Sequence, residues 1–289
     1  MIPALLALLS SVTYGSADFL GGLSSRRAST TAVVIVSQLA GLVLLALAMP
    51  LLPPSSVTVI DLAWGAAAGL SGGIGVALLY RGLAIGPMSV VAPVTAVCAV
   101  IVPVLVGIFS GEALSMLTGA GIVLAATAIV LVGQAPTPAG SAAKTRPGAR
   151  AFSAVSIAIA SGVVIGLFLV ALERTPASAG MWPLIAARVV SISLFGIVAL
   201  ARPAAHSMSR GSAATAVLGG SFDMLANVLY LAAVRQGQLS VIATLTSLYP
   251  ASTVLLARVV LGERLGFQQK VGVAGAVVAA MMIVHGAVR

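Results

Sequence analysis

Charge is what this sequence has least of. Only 7% of its 289 residues are Asp, Glu, Lys or Arg, against about 25% in an ordinary globular chain. So few charges cannot cover a water-facing surface, which excludes a soluble domain and leaves lipid as the main solvent. Cysteine is nearly absent: Cys98 stands alone in an apolar segment, so neither an internal disulfide nor a thiolate metal centre is available. His206 and His285 lie far apart, with no Cys or carboxylate at ligand spacing, so no metal or other cofactor is expected. A nucleotide cradle is missing as well. Gly72-Gly73-Ile74-Gly75 follows no strand and precedes no basic residue at Walker spacing, so no ATP-driven step is expected. Met1-Ile2-Pro3 carries no basic n-region before its apolar run, which argues for a retained first helix rather than a cleaved signal.

What is present is apolar: 60% of the chain. Ten runs of about 20 residues, punctuated by Gly, Pro and charge, predict ten transmembrane helices. They lie near 3–23, 32–52, 62–84, 89–109, 115–133, 152–172, 181–200, 214–234, 240–260 and 267–287. Backbone groups in hydrocarbon must be bonded internally, so helix is the state available to these runs. The fold class expected is an all-α integral membrane protein, multi-pass in the plasma membrane.

The runs fall into two copies of one design. Leu78-Leu79-Tyr80, Ser89-Val90-Val91-Ala92, Thr95 and Gly111-Glu112-Ala113-Leu114 recur as Val228-Leu229-Tyr230, Ser240-Val241-Ile242-Ala243, Thr246 and Gly262-Glu263-Arg264-Leu265, offset by 150 or 151 residues. Gly15 and Gly121 recur as Gly166 and Gly272. This divides the chain into a first five-helix repeat at 1–134, a basic Pro/Gly-containing linker at 135–151, and a second five-helix repeat at 152–289. Five spans is an odd number, so the second repeat enters the membrane in the opposite sense. Inverted repeats of this kind place a binding site at their interface.

The net charge of +9 serves topology rather than nucleic acid, because the basic residues sit in short inter-helix segments. Eleven, including Arg26, Arg27, Lys144, Arg146 and Arg264, collect on one face; Arg174, Arg235 and Arg289 collect on the other. The positive-inside rule then puts the linker in the cytoplasm and both termini outside.

Three ionisable side chains lie well within predicted helices: Asp18, Arg188 and Asp223. Each costs roughly 2.5–3.5 kcal/mol at mid-bilayer on the insertion scale, so each needs a cavity or a partner. Asp223 either pairs with Arg188 on the preceding helix or lines a pathway for a cation or proton. Arg188 could equally anchor a substrate carboxylate. Asn227 and Tyr230 follow Asp223 at i+4 and i+7 on one helical face, and Tyr14 precedes Asp18 by four residues. The ninth run offers Ser240, Thr244, Thr246, Ser247 and Tyr249 just before Pro250, which removes a backbone hydrogen bond. The fourth run offers Thr95 between Pro93 and Pro103. Hydroxyls of this kind can also simply bond the carbonyl one turn back. Tyr80 and Tyr230 occupy matching places that suit an interfacial aromatic belt. Glu112 and Glu263, in the turns before the fifth and tenth helices, suit the positive end of the following helix. Gly65, Gly69 and Gly73 form a stripe that suits close helix packing.

With the repeats, Tyr14-Gly15-Ser16 in the first helix and the paired Gly-Glu turns in view, the chain resembles the drug/metabolite transporter superfamily, specifically its EamA type. Leu261-Gly262-Glu263-Arg264-Leu265 is the strongest element of that likeness. Tyr14-Gly15-Ser16-Ala17-Asp18-Phe19 departs from the usual Trp-Gly-Ser-Asn-Phe by placing an acid in or beside the Asn position. The resemblance implies export of small polar metabolites, amino acids or drugs by alternating access. It also implies a central cavity lined by helices 1, 3, 4, 6, 8 and 9, and cytoplasmic termini, the reverse of the charge distribution. The pathway residues expected are Tyr14, Asp18, Thr95, Arg188, Asp223, Asn227, Tyr230, Thr244, Thr246, Ser247 and Tyr249. The partners expected are the lipid bilayer, a small-molecule substrate, protons and a second copy in a homodimer. Two alternatives stand beside this reading: a lipid or lipid-linked sugar flippase, and an intramembrane hydrolase pairing Asp18 with Asp223.

Overall fold

The structure, a computed structural model, describes residues 1–86, 88–132, 149–201, 208–261 and 266–287. The second Gly-Glu turn at 262–265 and most of the linker lie outside the described residues. The first repeat is built from α1 (Ile2–Ser25), α2 (Thr30–Ala48), α3 (Val59–Ile85), α4 (Met88–Phe109) and α5 (Met116–Val132). The second is α6 (Ala149–Glu173), α7 (Trp182–Ala201), α8 (Arg210–Val234), α9 (Leu239–Thr246), α10 (Tyr249–Leu261) and α11 (Phe267–Ala287). Ten spans therefore cross the bilayer as two inverted five-helix repeats, the ninth span being divided between α9 and α10.

Local sequence explains the helix ends. Ser29 caps α2 by accepting from Ala32 N at 3.3 Å, and Ser209 caps α8 by accepting from Ser212 N at 3.1 Å. Thr58 and Asp61 form a reciprocal capping box at the start of α3, satisfying two backbone donors that the helix cannot satisfy itself. Met116–Val132 is the shortest span, at 17 residues; among the described residues nine others are long and apolar enough to cross a membrane.

The repeats interleave rather than sit side by side. α1 packs along α8 and α3 along α6, while α2 meets α7 and α8, and α5 meets α11. Exchanging the repeats swaps α1–α8 with α6–α3, swaps α2–α8 with α7–α3, which also pack together, and returns α2–α7 and α5–α11 to themselves, as a two-fold axis lying in the membrane plane requires. Individual glycines carry the same symmetry. Gly121 packs on Ile283, and Gly272, 151 residues later, packs on Val132. Gly15 meets Tyr249 and Ser252; its counterpart Gly166 meets Ala99 and Val102. In lipid, where burying apolar surface supplies little attraction between helices, such close approach provides the packing energy.

The glycine stripe on α3 behaves as expected. Gly65, Gly69 and Gly73 lie against Pro183, Ala187 and Ser191, one turn apart on α7. A methyl group on Gly69 would fall 2.6 Å from Ala187 Cα. On the other side of the axis, Gly220 of α8 meets Ser37 of α2 as closely, 2.5 Å from its Cα. These two crossings fix the backbone on either side of the centre, one residue from Arg188 and from Gln38 and three from Asp223.

Candidate functional site

A cavity lies at the seam of the repeats. α1, α2, α3, α4, α6, α7, α8 and the break between α9 and α10 all contribute to it. The family-based expectation named six of these spans. The structure adds α2 and α7, because the glycine crossings press both against the centre.

One wall carries a continuous polar network. Tyr14 donates its hydroxyl hydrogen to Asn227 Oδ1 at 2.8 Å. Asn227 Nδ2 donates to the Asp223 backbone carbonyl at 2.7 Å and reaches Asp223 Oδ2 at 3.3 Å. Asp223 is ion-paired with Arg188, whose other terminal nitrogen donates to Gln38 Oε1. The two readings of Asp223 are therefore compatible: it is paired with Arg188 and it lines the cavity. Mutual pairing offsets the cost of holding a carboxylate and a guanidinium inside the membrane.

Asp18 is different. It is buried and lines the same cavity, yet among the described residues its carboxyl makes no hydrogen bond or ion pair. Nor does a hydrogen bond join it to Asp223, as a hydrolase pair of carboxyls would require. Ser191, Thr246 and Tyr249 add three more buried hydroxyls without partners, all lining the cavity. Buried polar groups are ordinarily satisfied, so their concentration here marks a place built for something else to bond.

The break in the ninth span places two of these groups. Ser247 N–H still bonds Ala243 O at 2.9 Å, but Leu248 N–H turns to Leu245 O at 3.3 Å and a new helix starts at Tyr249, where Pro250 has no N–H to give. Thr246, Ser247 and Tyr249 line the cavity at this break. Its outer edge is latched to α1: Thr253 Oγ1 donates to Gly15 O at 3.2 Å and Ser252 Oγ to Ser11 O at 3.2 Å.

Eight of the eleven predicted residues thus meet at one cavity: Tyr14, Asp18, Arg188, Asp223, Asn227, Thr246, Ser247 and Tyr249. The remaining three are engaged elsewhere. Thr95 Oγ1 donates to Ala158 O at 3.2 Å, joining α4 to α6. Thr244 Oγ1 bonds Ser240 O one turn back at 2.7 Å. Tyr230 is fully buried and donates to Leu169 O at 3.0 Å. Tyr80 is buried too, its ring packed over Gly21. The aromatic-belt reading of these two tyrosines is therefore replaced by an interior one, because Tyr80 packs on α1 and Tyr230 bonds α6, each inside its own repeat.

Glu112 also departs from expectation. Its carboxylate accepts from Leu239 N at 2.6 Å and Ser240 N at 3.1 Å, and from the Ser240 hydroxyl. It caps α9 of the other repeat rather than the helix that follows it in sequence. The electrostatic reason is the expected one, a carboxylate at a positive helix end.

Gln38, Ser191 and Phe168 were missed. Gln38 had a legible signal, as the one amide in the apolar run Thr30–Ala48. Ser191 follows Arg188 by three residues on the same face. Nothing in the sequence distinguishes Phe168 from its apolar neighbours.

The sequence profile described as the EamA-like transporter family matches residues 1–134 and 147–285. No curated protein matches. A solved crystal structure, described only as that of a protein, superposes with a TM-score of 0.73 at 17% identity, over 99% of this chain and 98% of that one. That likeness shows the fold.

Proposed function

Because the chain belongs to the EamA-like transporter family, we propose that it exports a small molecule across the plasma membrane by alternating access, using a gradient rather than ATP. The family makes it a membrane transporter of the drug/metabolite type; substrate, direction and coupling belong to this proposal. The repeats 1–134 and 152–289, joined by the 135–151 linker, would expose the seam cavity to one side and then the other. The excess of basic residues on the linker side orients that face toward the cytoplasm.

The observation that carries the reading is the unpaired Asp18 carboxyl in the central cavity. A carboxyl with no internal partner can exchange a proton with whichever side the cavity faces. Asp223 is less suited to this role, because it is already ion-paired with Arg188. The test is transport in reconstituted vesicles under an imposed pH gradient, with metabolites from cells overexpressing the protein as the candidate pool. Gradient-driven transport that Asp18→Asn uncouples supports the reading. Equal, fully gradient-dependent transport by wild type and Asp18→Asn contradicts the proton assignment.

A further inference from the structure

The two-fold axis makes the cavity symmetric in backbone but not in chemistry. Tyr14 and Asp18 on α1 have Ile165 and Leu169 as their counterparts on α6. α8 contributes Asp223 and Asn227, whereas α3, its equivalent, contributes only Ala68, Gly69, Gly72, Gly73, Val76 and Leu79. Tyr249 of α10 packs on Gly15, and Ala99 of α4 packs on the counterpart Gly166. The residues from α1 and α8 are therefore polar and those from α3 and α6 apolar, with Phe168 among the apolar set and the Ser191 hydroxyl of α7 lying against Gly73.

Charge is lopsided as well. Among the described lining residues, Arg188 is the one cation and is committed to Asp223 and Gln38. Its charge is therefore already balanced by Asp223, and a substrate carboxylate gains no uncompensated positive charge from it. Asp18 is left as a carboxyl in excess, beside the hydroxyls of Thr246 and Tyr249 that lack partners. A ligand that completes this polar set brings a cationic hydrogen-bond donor to Asp18, and a ligand that packs on the apolar set brings an apolar body. A second anionic group on that ligand would meet no uncompensated positive charge among the described lining residues.

We propose that the cavity takes a small amphipathic monoamine, its ammonium at Asp18 and the Thr246 and Tyr249 hydroxyls, its apolar part against Phe168, Ile165 and Leu169, and that it discriminates against the corresponding amino acid. The proposal rests on the transporter reading of the cavity and narrows its substrate class.

The matched probes are 2-phenylethylamine and phenylalanine, which differ by one carboxylate. Binding to the purified full chain in detergent is measured by calorimetry. The amine is expected to bind at least about tenfold more tightly than the amino acid, and Asp18→Asn to weaken the amine by a similar factor, the loss of about one charge-assisted hydrogen bond. Asp18→Glu is expected to retain amine binding, which separates loss of the acid from loss of the fold. Phe168→Ala is expected to weaken 2-phenylethylamine. Phenylalanine binding as tightly as the amine, an Asp18→Asn affinity equal to wild type, or no measurable binding of 2-phenylethylamine or of cyclohexylmethylamine each overturns the proposal. Failure here leaves the transporter reading standing, since that is judged by pH-driven movement of cell metabolites rather than by amine affinity.

Discussion

Arg188 of α7 closes an ion pair with Asp223 of α8 while its other terminal nitrogen is held by Gln38 of α2. One guanidinium thus ties three spans from both repeats. Asp18, in the same cavity, is left outside this network. The division between a satisfied pair and an unsatisfied acid separates what holds the centre together from what is free to react or bind.

Arg188→Met strands the largely buried Asp223 carboxylate in the cavity wall. Removing one partner of a buried pair costs about 3–5 kcal/mol, while replacing both by apolar groups costs far less. Denaturation in detergent should therefore show a large loss for Arg188→Met and substantial recovery in Arg188→Met/Asp223→Leu. Additive losses in the double variant would mean that the pair is not the stabilising unit.

Glu112→Ala removes the acceptor for two backbone N–H groups and one hydroxyl at the start of α9. Losing a cap costs about 0.5–2 kcal/mol. The effect should appear as faster amide exchange at 239–242, in the repeat that does not contain the mutation. Exchange unchanged there, with faster exchange confined to α5, would show that Glu112 serves its own repeat instead.

Gly69→Ala and Gly220→Ala each force a methyl group into facing backbone, at Ala187 and at Ser37. Neither neighbour is a side-chain end that can swing aside, so each variant should lose about 1–3 kcal/mol, as overpacking does. Gly119→Ala and Gly196→Ala are the controls, because an added methyl meets nothing within 4 Å at either position. They should be neutral or slightly stabilising. Equal melting temperatures for all four would contradict the crossing geometry.

Arg235 closes the far end of α8. Its guanidinium donates to Thr175 O at 3.1 Å, Gly180 O at 2.7 Å and Thr175 Oγ1 at 3.1 Å. Burial lowers its pKa to about 10, partly opposed by Asp61, so it stays charged at neutral pH. Arg235→Lys keeps the charge and loses the planar fork that spans these acceptors. It should therefore lower the melting temperature nearly as far as Arg235→Ala, whereas full retention of stability by the lysine variant would show that charge alone suffices.

The repeats, the ten spans and the polar face of Asp223 and Asn227 were legible because lipid enforces them. Helical runs need a fixed length, and an acid in such a run needs a partner or a cavity. Asp18 stood out for the same reason. Less was legible where one repeat acts on the other. Glu112 reads locally as the cap of the next helix, and only the interleaving of the spans brings it to α9. Tyr80 and Tyr230 read as interfacial from their places near helix ends, and only the packing of Tyr80 on α1 and of Tyr230 on α6, within each repeat, makes them interior. Thr95, Thr244 and Ser247 have the same hydroxyl chemistry. The backbone break after Thr246 is what sends Ser247 to the cavity, while Thr244 bonds its own helix.

Sidedness of the central cavity is the most direct test of alternating access. Cys98→Ser provides a cysteine-free background, and Ser247→Cys places a thiol at the α9–α10 break that lines the cavity. The measurement is labelling of oriented vesicles by a membrane-impermeant maleimide applied from each face in turn. The account predicts labelling from both faces, with an imposed pH gradient shifting the balance between them. Labelling from one face alone under every gradient would contradict it.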